Sequence, residues 1–208
     1  MSIQLAQSFY ECDAVTLARN LLGCLLVHNA PEGQTSGIIV ETEAYRGPMD
    51  KAAHTYGGRK TKRTQVMFGP PGYAYIYMIY GMYDCLNVVA AEEGCPEAVL
   101  IRALHPYEGL ELMAHRRGLG QLTPGNELKL CSGPGKLTQA MGITRELNGA
   151  DLQGNTLFIS ANRQYADTEV VATPRINIDY AGEWQNKLWR FLVVGSKHVS
   201  IPYSRPLS

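Results

Sequence analysis

The chain has 208 residues, 45% hydrophobic and 18% charged, with 19 Lys and Arg balanced by 19 Asp and Glu. This composition supports a core of its own and excludes a disordered chain; zero net charge excludes a partner held by bulk charge alone, so a nucleic-acid reading must rest on local clusters. The apolar runs, such as 21–27 and 98–104, fall well short of the ~20 residues of a membrane-spanning helix.

The N-terminus lacks the basic start and apolar stretch of a secretion signal, so a soluble, intracellular protein with no membrane partner is expected. Without repeats or a Pro/Gly linker, residues 1–208 read as a single domain. Asp13 is placed to cap a helix whose apolar positions are Val15, Leu17, Ala18, Leu21 and Leu22, with Gly23 as its left-handed end. Strands follow at 24–28 and, after a Pro31/Gly33 loop, at 37–45. Residues 46–72 read as one long loop, and a connection of that length in a compact domain is usually functional. Strands then follow at 73–79, 84–90 and 98–104, with a turn at Gly81. A helix is expected at 107–117 with Leu110, Met113 and Ala114 on one face. Ser132 is expected to cap a second helix at 135–141 with Pro134 in its first turn. Strands at 157–160 and 191–194 complete the series. Strands predominate and do not alternate with helices, which favours an α+β fold over a doubly wound one. Cys12, Cys24, Cys85, Cys95 and Cys131 form no CxxC pair and are odd in number, so free thiols, no disulfide framework and no metal site are expected.

Three constellations carry chemistry. On a strand, Ile39, Glu41, Glu43 and Tyr45 would share one face, with successive side chains ~6.5–7 Å apart. That overlaps the lower end of the ~6.5–9.5 Å carboxyl spacing of inverting glycosidases. The same pattern also fits a solvated strand face with one Glu paired to an arginine. The second constellation is a ladder of Tyr73, Tyr75 and Tyr77 on one strand face, with Ala74, Ile76 and Met78 opposite and Tyr80 and Tyr83 flanking the turn. Five tyrosines in eleven residues suit base stacking and a wedge at the turn tip, or a tyrosine-rich surface covered by helices. The third is Arg59-Lys60-Thr61-Lys62-Arg63, a phosphate grip or a solvated basic loop. Lys136 would assist anion binding at a helix start or be an ordinary surface lysine; His54 alone reads as an ordinary histidine. No Gly-rich phosphate loop and no G-x-S-x-G occurs. The functions left open are a glycosidic-bond hydrolase built on Glu43, a polysaccharide glycosidase using Glu41 with Glu43, and a nucleic-acid binding module without turnover.

The string Val40-Glu41-Thr42-Glu43-Ala44-Tyr45-Arg46-Gly47-Pro48, then Ala52-Ala53-His54 and Tyr77-Met78-Ile79-Tyr80-Gly81-Met82-Tyr83 with Asn87, resembles the alkyladenine (3-methyladenine) DNA glycosylase family. So do Leu100-Ile101-Arg102-Ala103-Leu104, Leu130-Cys131-Ser132-Gly133-Pro134-Gly135-Lys136-Leu137, Thr173-Pro174-Arg175-Ile176 and Ala181-Gly182-Glu183-Trp184. The resemblance implies one α+β domain with a curved, mainly antiparallel β-sheet and peripheral helices. It implies a monofunctional, monomeric enzyme of base excision repair, without metal or cofactor, working inside the cell on double-stranded DNA. The substrates implied are alkylated or deaminated purines (3-methyladenine, 7-methylguanine, hypoxanthine, ethenoadenine), reached by base flipping. In this reading Glu43 is the general base, and Arg102 and the main-chain carbonyl of Ile176 position its water. Tyr45 and Tyr77 sandwich the flipped base, His54 caps the stack, and Asn87 disfavours the exocyclic amine of guanine. Tyr80 is the wedge with Met82 beside it, while Arg59, Thr61 and Lys136 hold phosphates. Glu41 is expected to have a structural partner instead of a catalytic role. Where the family has glycine after the Ile176 position this chain has Asn177, a residue that tolerates left-handed backbone angles better than most.

Overall fold

Asp13 caps as its position predicts: its side chain accepts hydrogen bonds from the Val15 and Thr16 N–H groups and starts α2 (Ala14–Asn20), just after the single turn α1 (Gln7–Tyr10). The structure, a computed structural model, describes residues 3–203. Gly23 follows the helix with φ +89°, and a Cβ there would lie 2.1 Å from the Arg163 carbonyl oxygen, so only glycine fits.

Eight strands follow: β1 (Leu25–Ala30), β2 (Gly33–Tyr45), β3 (Ala74–Ile79), β4 (Tyr83–Ala90), β5 (Glu97–Glu108), β6 (Leu157–Ser160), β7 (Val170–Thr173) and β8 (Arg190–Val193). They form one curled sheet in the order β3-β4-β5-β2-β1-β6, with β8 pairing both β2 and β7, and the ladders are antiparallel. Of the helices α3 (Leu110–Arg116), α4 (Pro124–Glu127) and α5 (Pro134–Met141), α5 packs on β4 and β5, and α3 on α5 and β2. The α+β, single-domain expectation is met. Among the described residues no helix is long and apolar enough to cross a membrane, and all five cysteines are free.

β2 is the strand on which the site depends. Its first half pairs with β1, its second half (Glu41, Thr42, Glu43) with β8, and β5 runs along its other edge. Register shifts against β5 flank Glu41, the signature of a bulge that re-aims side chains. This corrects the simple alternation. Ile39 does not share the face of Glu41, Glu43 and Tyr45; it packs in the main core with Val40 and Ala44, whereas Tyr45 joins a small cluster with Ala52, Ile178 and Ala181. The solvated-face reading also fails, since Glu41 and Glu43 are fully buried.

Other expectations shift at element ends. The Pro31/Gly33 loop is a tight turn, because Ala30 already pairs with Gly33. The helix expected from residue 107 begins at Leu110: β5 runs on through Tyr107 and Glu108, and Gly109 turns the chain at φ +74°. Ser132 is not the cap of α5; Gly133 stands there at φ 146°, without a side-chain cap. Gly135 is required by packing, since a Cβ would lie 2.9 Å from the Tyr83 Cβ. The long 46–72 segment is organised by three single turns of 3₁₀ helix. The tyrosine ladder keeps its alternation: Ala74 and Ile76 enter the main core, while Tyr73, Tyr75 and Tyr77 meet Val66 and Met67, so the cover is a single 3₁₀ turn (Gln65–Phe68) of that segment and not a longer α-helix.

Candidate active site

Glu41 and Glu43 leave β2 on the face where β5 presents Arg102. The Arg102 Nε donates to Glu41 Oε1 at 2.9 Å, and its Nη1 lies 3.3 Å from Glu43 Oε2. Arg190, from β8, donates to the same Glu41 oxygen at 2.8 Å, and the Ser200 hydroxyl and N–H supply two more bonds. Glu41 is therefore neutralised and saturated. Burial alone would lower the Arg102 pKa, but Glu43 and Glu41 hold the guanidinium above its ordinary value.

Glu43 keeps different company. Its Oε1 accepts the Ile176 N–H at 2.8 Å, and its Oε2 accepts the Tyr45 hydroxyl at 2.9 Å. Ile176 is brought there by its neighbour. Arg175 is buried, donates both Nη atoms to Asp50 and one to the Ala44 carbonyl, and lies 4.8 Å from the centre of the Tyr45 ring. Asn177, next along, adopts φ +58°, the left-handed conformation anticipated for it.

In front of this cluster lies a cavity of about 490 Å³, within the range of small-molecule sites. Tyr45, His54, Tyr75, Tyr77, Tyr80, Asn87, Arg102 and Ile176 line it. Glu43 is behind the wall, with no exposed surface of its own, but hydrogen-bonded to two lining residues, Tyr45 and Ile176, and ion-paired with a third, Arg102. The ring of His54 stands edge-on to Tyr77, centroids 4.5 Å apart, and its Nδ1 is 2.9 Å from the Tyr75 hydroxyl. Burial, with help from the Arg63 charge, lowers the His54 pKa to about 4. Burial pushes Tyr75 up to about 12, and lifts Tyr77 and Tyr45 well above the ordinary phenol value. The Asn87 amide donates to the Tyr75 and Cys85 carbonyls, which fixes its orientation.

At the mouth, Tyr80 occupies the tip of the β3–β4 hairpin, 77% exposed and held at φ +51°. Met82 is also exposed there but faces a neighbouring groove with Gly135. Arg59 and Thr61 border a separate polar groove shared with His54 and Arg63. The Thr61 hydroxyl already accepts the Thr64 N–H. Lys136 is exposed in the first turn of α5. Of the residues expected at the site, Arg59, Thr61, Lys136 and Met82 thus lie around the cavity and not in its wall.

The chain as a whole has relatives among known proteins. The family model for methylpurine-DNA glycosylase (MPG) matches residues 8–197. The chain belongs to the methylpurine-DNA glycosylase family. A relative from Clostridium acetobutylicum is 48% identical over 96% of this chain and 98% of its own. One from Bacillus cereus and one from Bacillus anthracis are each 50% identical over 95% of this chain and 99% of theirs. All three bear the name "Putative 3-methyladenine DNA glycosylase". As a methylpurine-DNA glycosylase, this protein is a hydrolase of DNA repair. Four residues that organise the site were given no role there beforehand: Tyr75, Arg175, Asp50 and Arg190. Tyr75 was within reach, two positions from Tyr77 on one strand face. Arg175 sat unremarked inside the Thr173–Ile176 motif, and Asp50 and Arg190 carry no local signal.

Proposed function

We propose that the enzyme removes alkylated or deaminated purines, among them 3-methyladenine, 7-methylguanine, hypoxanthine and ethenoadenine, from duplex DNA. The damaged nucleotide swings out of the helix, at a cost of a few kcal/mol, and enters the cavity. Tyr45 and Tyr77 stack on it, offsetting about 1–3 kcal/mol, and His54 closes the stack. Neutral His54 suits this role, because a cationic purine would be repelled by an imidazolium. Asn87 disfavours the guanine amine. Tyr80, assisted by Met82, fills the gap in the duplex, while Arg59, Thr61 and Lys136 hold phosphates of a DNA bound by the monomeric enzyme.

Glu43 is the general base. A carboxylate offers about four acceptor sites; on Glu43 the Ile176 N–H takes one on Oε1 and the Tyr45 hydroxyl one on Oε2, where the Arg102 guanidinium also lies 3.3 Å away. The free site on Oε1 takes a proton of water. Arg102 and the Ile176 carbonyl aim that water at C1′ as the bond from sugar to base breaks through an oxocarbenium-like state. The negative carboxylate also stabilises the developing positive sugar. No lysine forms a Schiff base in this scheme, so the strand is left intact. The observation that carries the reading is the contact of Glu43 with three residues of the cavity wall, two by hydrogen bond and one by ion pair. Glu41 is saturated by two arginines and Ser200, which leaves no acid–base partner for a glycan hydrolase.

The test is release of free hypoxanthine and 3-methyladenine from lesion-bearing duplexes by wild type and Glu43→Gln. A fall on the order of 10²–10⁴ with lesion binding retained is expected. Activity within a few-fold of wild type would remove Glu43 from the mechanism.

A further inference from the structure

Away from the cavity, three ligand-bearing side chains from distant parts of the chain converge. His105 lies on β5 three residues beyond Arg102, Glu127 ends α4, and His198 lies in the segment after β8. One donor atom of each falls within 4.8 Å of the other two. The imidazoles are stacked, centroids 4.2 Å apart at 11°. We propose that His105, Glu127 and His198 form a structural binding site for a borderline transition-metal ion such as Zn²⁺.

The donor chemistry fits. Two imidazoles and a carboxylate are a familiar zinc set, completed by a water, whereas magnesium or calcium would demand more oxygen ligands. Bonds of ~2.0–2.1 Å in a tetrahedron put donors about 3.4 Å apart, so the site must close by about 1.4 Å at most. His105 is exposed and His198 and Glu127 only half-buried, so rotation of the side chains supplies this without moving the core. The imidazole lone pairs lie in the nearly parallel ring planes, so one ring must turn out of the stack for both to meet an ion shared with Glu127.

The consequence is mechanical. The segment carrying His198 also carries Ser200, which bonds Glu41 through both its N–H and its hydroxyl. An ion at this site ties that segment to β5 and α4 and so secures the buried cluster behind Arg102. It takes no part in bond breaking.

The experiment titrates the full chain with ZnCl₂ and, as a spectroscopic probe, CoCl₂. One ion per chain is expected, with Co²⁺ bands of low-coordinate geometry. Affinity should fall tenfold or more in His105→Asn and in His198→Asn but not in His54→Asn, and Zn²⁺ should raise the wild-type Tm but not that of the double variant. A second measurement needs no variant: Zn²⁺ should protect His105 and His198, but not exposed His115, from diethyl pyrocarbonate, read by mass spectrometry. No saturable binding at one ion per chain, binding that tracks the cysteines, or equal modification of all three histidines with and without Zn²⁺ would overturn the site.

Discussion

Glu41 and Glu43 share Arg102, and their other contacts separate them. Removing one partner of a buried ion pair strands the other charge, at about 3–5 kcal/mol. Glu41→Gln withdraws the carboxylate from Arg190 altogether, so urea unfolding should show a loss of that size, while activity below the new Tm falls far less than in Glu43→Gln; equal losses of activity would make Glu41 catalytic after all. The burial of these carboxylates was not visible in the sequence, where a strand with two glutamates suggests a wet face. Their arginines lie 61 and 149 residues from Glu41, and no local pattern records such distances. His54 carries a second test. Its pKa falls from 6.5 to about 4 on folding, so the unfolded chain takes up a proton that the native site refuses. Stability is unaffected above pH 6.5 and is lost as pH falls from there towards 4, by about 2 kcal/mol between pH 7 and 5. His54→Gln should abolish that part of the loss in urea titrations at the two pH values; an unchanged loss would mean that His54 titrates normally.

Elements with strong periodicity were legible, and their ends were not. Period two alone put Tyr77 on one face with Tyr73 and Tyr75, and Tyr45 on one face with Glu41 and Glu43; that these faces meet at a site came from the family resemblance. The bulge at Glu41 broke the same rule for Ile39, because a bulge has no signature in side-chain alternation. The helix expected from Tyr107 failed for a related reason: β5 keeps pairing as far as Glu108, opposite Ser36, and tertiary pairing outweighs helix propensity. The single-turn α4 and the short β7 are too brief to leave a pattern. The Ile176–Asn177 turn shows a local choice that serves the site, since φ +58° at Asn177 aims the Ile176 N–H at Glu43. Asn177→Gly should hold Tm and turnover close to wild type, for glycine adopts that angle freely. Asn177→Val should cost about 1–3 kcal/mol and slow base release as the Ile176 bond to Glu43 loosens. If valine were as active as glycine, the left-handed turn would have no bearing on the base.

At the scale of the molecule, net charge conceals the distribution. Between Asp50 and Asp84 the chain carries Lys51, Arg59, Lys60, Lys62 and Arg63 and no acidic residue, and Arg59, Thr61 and Arg63 line the polar groove that adjoins the cavity at His54. The acidic excess lies elsewhere, so a neutral protein presents a basic rim to its substrate. Affinity for duplex DNA should then fall with salt, each phosphate contact contributing about 0.9 to the slope of log K against log salt. Arg59→Ala and Lys136→Ala should each make that slope shallower by about 1 and weaken lesion and undamaged duplex alike. Tyr80→Ala removes no charge: it should leave the slope unaltered and reduce the preference for the lesion, because the wedge acts on the flipped state and not on the backbone. Fluorescence anisotropy across a salt series separates these outcomes. A slope that does not respond to Arg59 or Lys136 would move the phosphate contacts to other cations of the rim, and a slope changed by Tyr80→Ala would show that the hairpin tip positions the backbone.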